Sequence, residues 1–256
     1  MVASNAPANQ IQAELGARLD DRGHLFVPYR PLLIRSADKV ILVDTGLGEL
    51  AQSVGEPAGR LLASLRSAGL EPDGIDAIVL THCHPDHIGG LTEIRSGRRE
   101  PVFKNARHYV WEAEWAFWTS EGSLSQLPDM LAAPARLQLP PIGQAGLTEI
   151  VSSETEIVPG ITLRGAPGHT PGHLVVSMAD AGAAAVYAGD AVLDSVNFEH
   201  PEWCSPVDVI PEATVATRRA LLESAVRDGS LFMGFHVSPG YVSRRASAFH
   251  FEPLRI

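Results

Sequence analysis

Cysteine is nearly absent from this 256-residue chain. Cys83 and Cys204 are the two it has, enough for one disulfide at most, so a disulfide-stapled scaffold is excluded. Long apolar runs are missing too: no stretch reaches the ~18 unbroken apolar residues of a membrane-spanning helix, and no membrane partner is expected. Basic residues are in short supply. Twenty Lys and Arg against 30 Asp and Glu give a formal net charge of -10, without a basic cluster. Nucleic acid and anionic lipid both demand a positive surface to meet their phosphates, so neither is an expected partner. The opening MVASNAPANQIQAELGARLDD lacks the basic stretch and apolar core of a secretory signal, and a cytoplasmic location is expected. Repeats, low-complexity tracts and flexible linkers are also missing, and the length suits one domain spanning residues 1–256. What remains is an ordinary globular composition, 45% hydrophobic and 20% charged, which points to a small-molecule substrate and is compatible with a homodimer.

Along the chain, strand and helix patterns alternate. PLLIRSADKVILVDTG predicts two strands joined by a polar turn, the second ending at Asp44, with Gly46 and Gly48 permitting a tight exit. AGRLLASLRSAGL has leucines at helical spacing and closes on Gly69, and DAIVL is the strand that follows. RHYVWEAEWAFW reads as a strand running into an aromatic helix, with Trp111, Trp115, Phe117 and Trp118 on the core side and Glu112 and Glu114 in solvent. Residues 119–148 are the least regular and read as a lid or insertion. PEATVATRRALLESAVRDG is the clearest helix, with Pro211 in its first turn and Gly229 at its end, although Ile210 offers no side-chain cap. Strands on both sides of helices predict two sheets packed together with helices outside.

Against this background, THCHPDHIGG, directly after the apolar AIVL, stands out. In an extended segment residues two apart point the same way, so His82 and His84 can reach one point. Pro85 then forces a turn that frees Asp86 and His87 to aim at a second point close by. Neutral imidazole nitrogen and carboxylate oxygen are zinc ligands, and two ions need more of them than this hexapeptide supplies. Three further candidates sit at strand ends: His169 in GAPGHTPGH, Asp190 closing YAGD and His236 closing MGFH. A carboxylate such as Asp190 can bridge two cations, because each of its oxygens carries lone pairs.

HCHPDH, with His169, Asp190 and His236 following in order, resembles the HxHxDH signature of the metallo-β-lactamase superfamily, and the resemblance runs from ILVDTG to GFHVSP. It implies an α/β fold, an αββα sandwich of two mixed sheets flanked by helices. It implies a dinuclear site with one ion on His82, His84 and His169, the other on Asp86, His87 and His236, and Asp190 bridging. The tail HPEWCSPVDVIPEATVATRRALL resembles the branch of quorum-quenching lactonases and methyl parathion hydrolase. Homoserine-lactone lactonases carry a tyrosine three positions beyond the bridging aspartate, where this chain has Leu193, and weak turnover of acyl-homoserine lactones is expected.

The cofactors expected are two divalent ions, zinc first, with manganese, cobalt or iron also suited to such a ligand set. The expected reaction is hydrolysis of a small ester or lactone by a metal-bridging hydroxide, with Asp190 or Asp86 passing a proton to the leaving group. Organophosphate triesters, thioesters and β-lactams are the alternatives within this chemistry. An iron-dependent oxidoreductase of persulfide dioxygenase type and a non-catalytic metal-pocket sensor are the alternatives outside it. Supporting candidates are Asp44, which either organises the DTG turn or orients a ligand histidine; His173, read as a hydrogen-bonded structural residue; Leu193, near the site; and His200 and Trp203, which pack a loop after Asp190 or, as the second reading, form a pocket wall. His24, His108 and His250 are read as structural.

Overall fold

The structure is a computed structural model that describes residues 3–36, 38–54, 58–246 and 248–255. The chain divides into two compact units, residues 31–159 and residues 1–30 with 160–256.

The 31–159 unit is built on a five-stranded mixed sheet. β1 (Leu32–Ser36) and β2 (Lys39–Val43) form an antiparallel hairpin, and β3 (Ala77–Val79), β6 (Arg107–Trp111) and β7 (Thr148–Val151) add in parallel in the order β1-β2-β3-β6-β7. β4 (Thr92–Arg95) and β5 (Arg98–Pro101) make a separate hairpin, and β8 (Thr155–Val158) closes the segment. Parallel neighbours need crossovers. They are supplied by α2 (Ala51–Val54), α3 (Leu61–Ser67), α4 (Pro85–Ile88), α5 (Glu112–Thr119), α6 (Glu121–Leu124) and α7 (Asp129–Gln144). Leu42, Ile78 and Val110 from the sheet share one core with Leu65, Trp118, Ala132 and Leu139 from the helices.

Residues 119–148 depart from their reading as an irregular lid or insertion: they hold α6 and the 16-residue α7. Pro134, Pro140 and Pro141 lie inside α7 and mask it in the sequence, because proline removes an amide donor and crowds the preceding turn. Tertiary burial holds the helix together: Ala132, Ala135, Leu139 and Ile142 pack in the core, and Gln138 accepts from the Thr92 amide at 2.9 Å and donates to the Gly89 carbonyl at 3.1 Å.

In the other unit, α1 (Ala8–Leu15) precedes a mixed sheet with β9 (Ile161–Gly165), β10 (Leu174–Asp180), β11 (Ala183–Tyr187), β12 (Leu231–Met233), β13 (Gly240–Arg245) and β14 (Ala248–Pro253). β11 and β12 run parallel and the remaining registered pairs antiparallel. α8 (Val196–Glu199) and α9 (Pro211–Asp228) cover it, with Phe198, Leu222 and Ala225 packed on Phe232, Val242 and Phe249. α9 starts at Pro211 with no side-chain cap and stops at Gly229, whose φ of 60° is the left-handed conformation glycine adopts cheaply. Its core face also carries Arg218, fully buried, which donates to the carbonyls of Ala191 at 2.6 Å, Pro201 at 2.9 Å and Trp203 at 2.6 Å. No helix among the described residues is long and apolar enough to cross a membrane.

Candidate metal centre

In the 31–159 unit the histidine motif hangs on the end of β3. His84 remains extended, at φ -67° and ψ 154°, and Pro85 opens α4, so His82 and His84 lie before the turn and Asp86 and His87 inside it. The ligand atoms of His82 and His84, of His82 and His87, and of Asp86 and His87 all approach within 4.8 Å. The His82 and His87 rings lie 3.9 Å apart and the His82 and His84 rings 4.6 Å. All three imidazoles are buried.

Packing so many imidazoles together needs a scaffold, and Asp44 supplies it. At the end of β2 it adopts a φ of 61°, which non-glycine residues avoid and aspartate tolerates better than most. Its carboxylate accepts from the Thr81 amide at 2.8 Å, the Thr81 hydroxyl at 2.8 Å and His87 Nδ1 at 2.8 Å. With its proton committed to Asp44, the Thr81 hydroxyl can accept from His82 Nδ1, 3.1 Å away. Both rings then carry their proton on Nδ1 and present the Nε2 lone pair that a metal requires. Burial pushes the Asp44 carboxyl above its ordinary range, and His87 and Thr81 act against that rise. The loop after Asp44 is pressed backbone to backbone on the end of the motif. The Thr45 amide donates to the His87 carbonyl at 2.7 Å, and a Cβ on Gly89 would lie 2.2 Å from the Leu47 carbonyl oxygen, so only glycine fits there.

Glu114 overturns its reading as a solvated residue: it is fully buried, and its carboxylate accepts from the Cys83 amide at 2.8 Å, directly between His82 and His84. The Cys83 thiol belongs to the hydrophobic core, and burial, with Glu114 and Asp44 nearby, raises its pKa well above the ordinary value. It is a packed thiol. Trp118 does face the core, edge-on to His84 with centroids 5.4 Å apart. His108 is buried, with Nδ1 3.0 Å from the Ala106 carbonyl.

The second unit brings its candidates together from three separate strand ends. His169 follows β9 in a loop seated on the start of α9: the Ile210 amide donates to Gly168 and the Val209 amide to His169, each at 2.9 Å. Gly168 has a φ of 145°, and a Cβ there would stand 2.3 Å from the Thr214 amide nitrogen. Asp190 follows β11 and His236 follows β12. One Asp190 oxygen lies 3.4 Å from His169 Nε2 and 3.2 Å from His236 Nε2, and all three residues are buried. Here too the far side of each ring is held. His169 Nδ1 is 2.7 Å from Asp208, which also accepts from the Ser205 amide at 2.7 Å, and His236 Nδ1 is 2.8 Å from the Pro28 carbonyl.

Asp208 was missed in the sequence, since a lone aspartate in SPVDV has no periodicity or spacing that marks it. His173 is a hydrogen-bonded residue, as read: its Nε2 accepts from the Asp190 amide at 3.1 Å. Leu193 and His236 line a cavity of about 580 Å³ within this unit, whereas His200 and Trp203 are not among its lining residues. His200 stacks on Trp203 at 4.1 Å, and Trp203 packs with Leu193 and Val196.

The chain as a whole is similar to known proteins. An N-acyl homoserine lactonase of Bacillus sp. is 28% identical over 69% of this chain and 68% of its own length. One from Bacillus thuringiensis is 25% identical over 83% of this chain and 82% of its own. Among solved structures, hydrolase AbOPH of the beta lactamase superfamily superposes with a TM-score of 0.86 at 24% identity, covering 100% of this chain and 89% of its own. AidC, a dizinc quorum-quenching lactonase in complex with a product, does so with a TM-score of 0.84 at 24% identity and the same coverage. The superfamily's own sequence model matches residues 31–229, which contain six of the seven candidate ligands and both mixed sheets' central strands. The chain belongs to the metallo-beta-lactamase superfamily.

Proposed function

We propose that the two units work as one catalytic domain whose seven side chains hold two divalent ions. His82, His84 and His169 would hold one and Asp86, His87 and His236 the other, and Asp190, whose ligand atom groups with those of His82 and His87, would add its carboxylate to the set. The donor set fits: imidazole nitrogens and carboxylate oxygens are the ligands of zinc, and manganese, cobalt and iron accept them too. The observation that carries the proposal is the hydrogen bonding behind the rings. The Nδ1 atoms of His82, His87, His169 and His236 each lie within hydrogen-bonding distance of an oxygen, from Thr81, Asp44, Asp208 and Pro28 respectively, which fixes the ring and reserves Nε2 for ligation.

Bound ions of this kind supply an acidified water near neutral pH and positive charge for a developing oxyanion. The rest falls to the chain. Asp86, with a side chain 22% exposed and 3.8 Å from His87 Nε2, is reachable by a leaving group and would relay to it the proton released by the attacking water. Asp190, at 4% exposure, is fixed between His169 and His236 and keeps their Nε2 atoms convergent. The reaction is hydrolysis of a small ester or lactone, and the lactonase relatives support that class. Leu193 offers the carbonyl oxygen no hydrogen bond, which favours activated esters and lactones with good leaving groups and makes aryl phosphotriesters the second reading.

The test is a screen of the metal-loaded protein against lactones, aryl esters, phosphotriesters, thioesters and β-lactams, each with a chelated control. Hydrolysis that chelation abolishes and zinc, manganese or cobalt restores is the expected result. Ligand binding without turnover would make the protein a sensor instead, and native iron with its absorption spectrum would favour the oxidoreductase reading.

A further inference from the structure

The cavity of about 580 Å³ beside His236 is within the range of small-ligand sites, and its wall is unevenly charged. Phe26, Leu193, Val196 and Phe251 supply apolar surface. Of its two arginines, Arg18 is committed: it grips Asp194 through two parallel contacts of 2.7 and 2.5 Å. Arg30 is different. Its guanidinium donates to two neutral acceptors, the His236 carbonyl and the Ser238 hydroxyl, both at 3.3 Å, and forms no ion pair among the described residues. Its main chain is fixed on both sides, the amide donating to the Phe235 carbonyl at 3.0 Å and the carbonyl accepting from Tyr187 at 2.8 Å. Partial burial lowers its pKa from the ordinary value. A partly desolvated guanidinium that is anchored, lines a cavity and is matched only with weak acceptors is a site prepared for an anion. Glu14 and Glu199 leave other parts of the wall acidic, so an anionic group has one favourable place to lie.

We propose that Arg30 is a specificity-determining residue that binds a carboxylate on the substrate, placing the site's preferred substrates among esters or lactones that carry a second, anionic group. The proposal rests on the hydrolase reading for the identity of the reacting bond. Because Arg30 touches the main chain of the same residue whose ring faces Asp190, the anion it holds lies a short way from the reacting bond.

The test pairs two readouts on the metal-loaded protein. In the first, kcat/KM is measured for the phenyl monoester of adipic acid and for phenyl hexanoate, which lacks only the carboxylate. Arg30→Met should lower the ratio of the two by about ten- to a hundredfold, chiefly through KM, which is the size of one charge-assisted hydrogen-bonded pair, and Arg30→Lys should recover part of it. In the second, calorimetry follows binding of the corresponding anilides, which are not turned over on that timescale. Arg30→Met should weaken the adipic acid monoanilide by a similar factor relative to hexananilide. An arginine that merely braces the main chain would lower both members of each pair together, and an unchanged ratio in both readouts overturns the proposal. Arg30-dependent binding of the anionic anilide without hydrolysis of either ester would instead overturn the hydrolase reading and leave this one standing.

Discussion

The two halves of the candidate centre reach similar chemistry by opposite routes. In the 31–159 unit four candidate ligands come from six consecutive residues, and one buried aspartate, Asp44, orders two of the imidazoles, His87 directly and His82 through Thr81. In the other unit three candidate ligands come from three strand ends spread over 68 residues of chain, and each histidine has its own support, Asp208 for His169 and the Pro28 carbonyl for His236. A contiguous motif concentrates its positioning in a single side chain that must accept an unfavourable backbone conformation. A dispersed set delegates positioning to the sheet and needs one local contact per ligand. The first is efficient but fragile at one point, and the second is spread over many contacts.

The comparison is broken most severely through Asp190, the residue on which the dispersed set converges. Asp190→Ala should lower hydrolytic activity by about 10³-fold or more and release metal from both sites. His173→Ala, which removes only the acceptor behind the Asp190 amide, should leave metal content nearly intact while costing stability. Elemental analysis of the two purified variants checks this, and equal metal loss would mean that His173 is itself a ligand.

Leu193 is expected to give the next largest effect. Without a hydroxyl at that position, acyl-homoserine lactones should be turned over about 10²-fold less well than activated aryl esters, because one missing hydrogen bond to a developing oxyanion has about that effect on rate. Leu193→Tyr should move the preference toward homoserine lactones if the cavity admits the ring. Wild-type kcat/KM values of about 10⁶ M⁻¹s⁻¹ or above on long-chain acyl-homoserine lactones would show that Leu193 is no handicap.

The supports themselves provide a finer test. Asp44→Asn and Asp208→Asn should each weaken metal binding by about 10- to 100-fold, measured by competition with a chromophoric chelator. Asp44→Asn should lie at the upper end, because it disturbs two rings where Asp208→Asn disturbs one. The reverse order would erase the distinction between concentrated and distributed positioning.

A separate prediction concerns stability and a histidine outside the centre. Burial lowers the His108 pKa from 6.5 to about 4, with the Ala106 hydrogen bond acting the other way. Above pH 6.5 neither state binds the proton. As pH falls from 6.5 to 4 the unfolded chain binds it and the native one does not, so stability declines through that window by about 3 kcal/mol and then levels off for this group. Denaturant titrations from pH 7 to pH 4 should show a shallower decline in His108→Gln than in the wild type, and parallel profiles would contradict the assignment.

Much of this was legible in the sequence, and the reasons differ between the halves. The motif at 81–90 announces itself because its candidate ligands are close together, and its alternation around Pro85 maps onto an extended segment followed by a helical turn. His169, Asp190 and His236 are individually unremarkable strand-end residues, and the superfamily resemblance is what singles them out. The hairpin of β1 and β2, the aromatic helix α5 and the long α9 follow from periodicity and turn residues alone. α7 does not, since its three prolines argue against a helix that only packing rescues. Glu114 fails for a related reason: a charged residue on a helix reads as solvated, and only the fold shows that the Cys83 amide is waiting for it, as three loop carbonyls are for Arg218. Asp208 and Arg30 carry no local pattern at all, and their roles come from what the chain returns to touch.

The count of metal ions per chain tests the central claim most directly. Protein purified without chelators and saturated with zinc or manganese should carry close to two ions per chain by elemental analysis, lose its hydrolytic activity when both are stripped, and regain it on reloading. A fully active preparation that saturates at one ion per chain would contradict the account, because one of the two histidine-aspartate sets would then have no ion to hold.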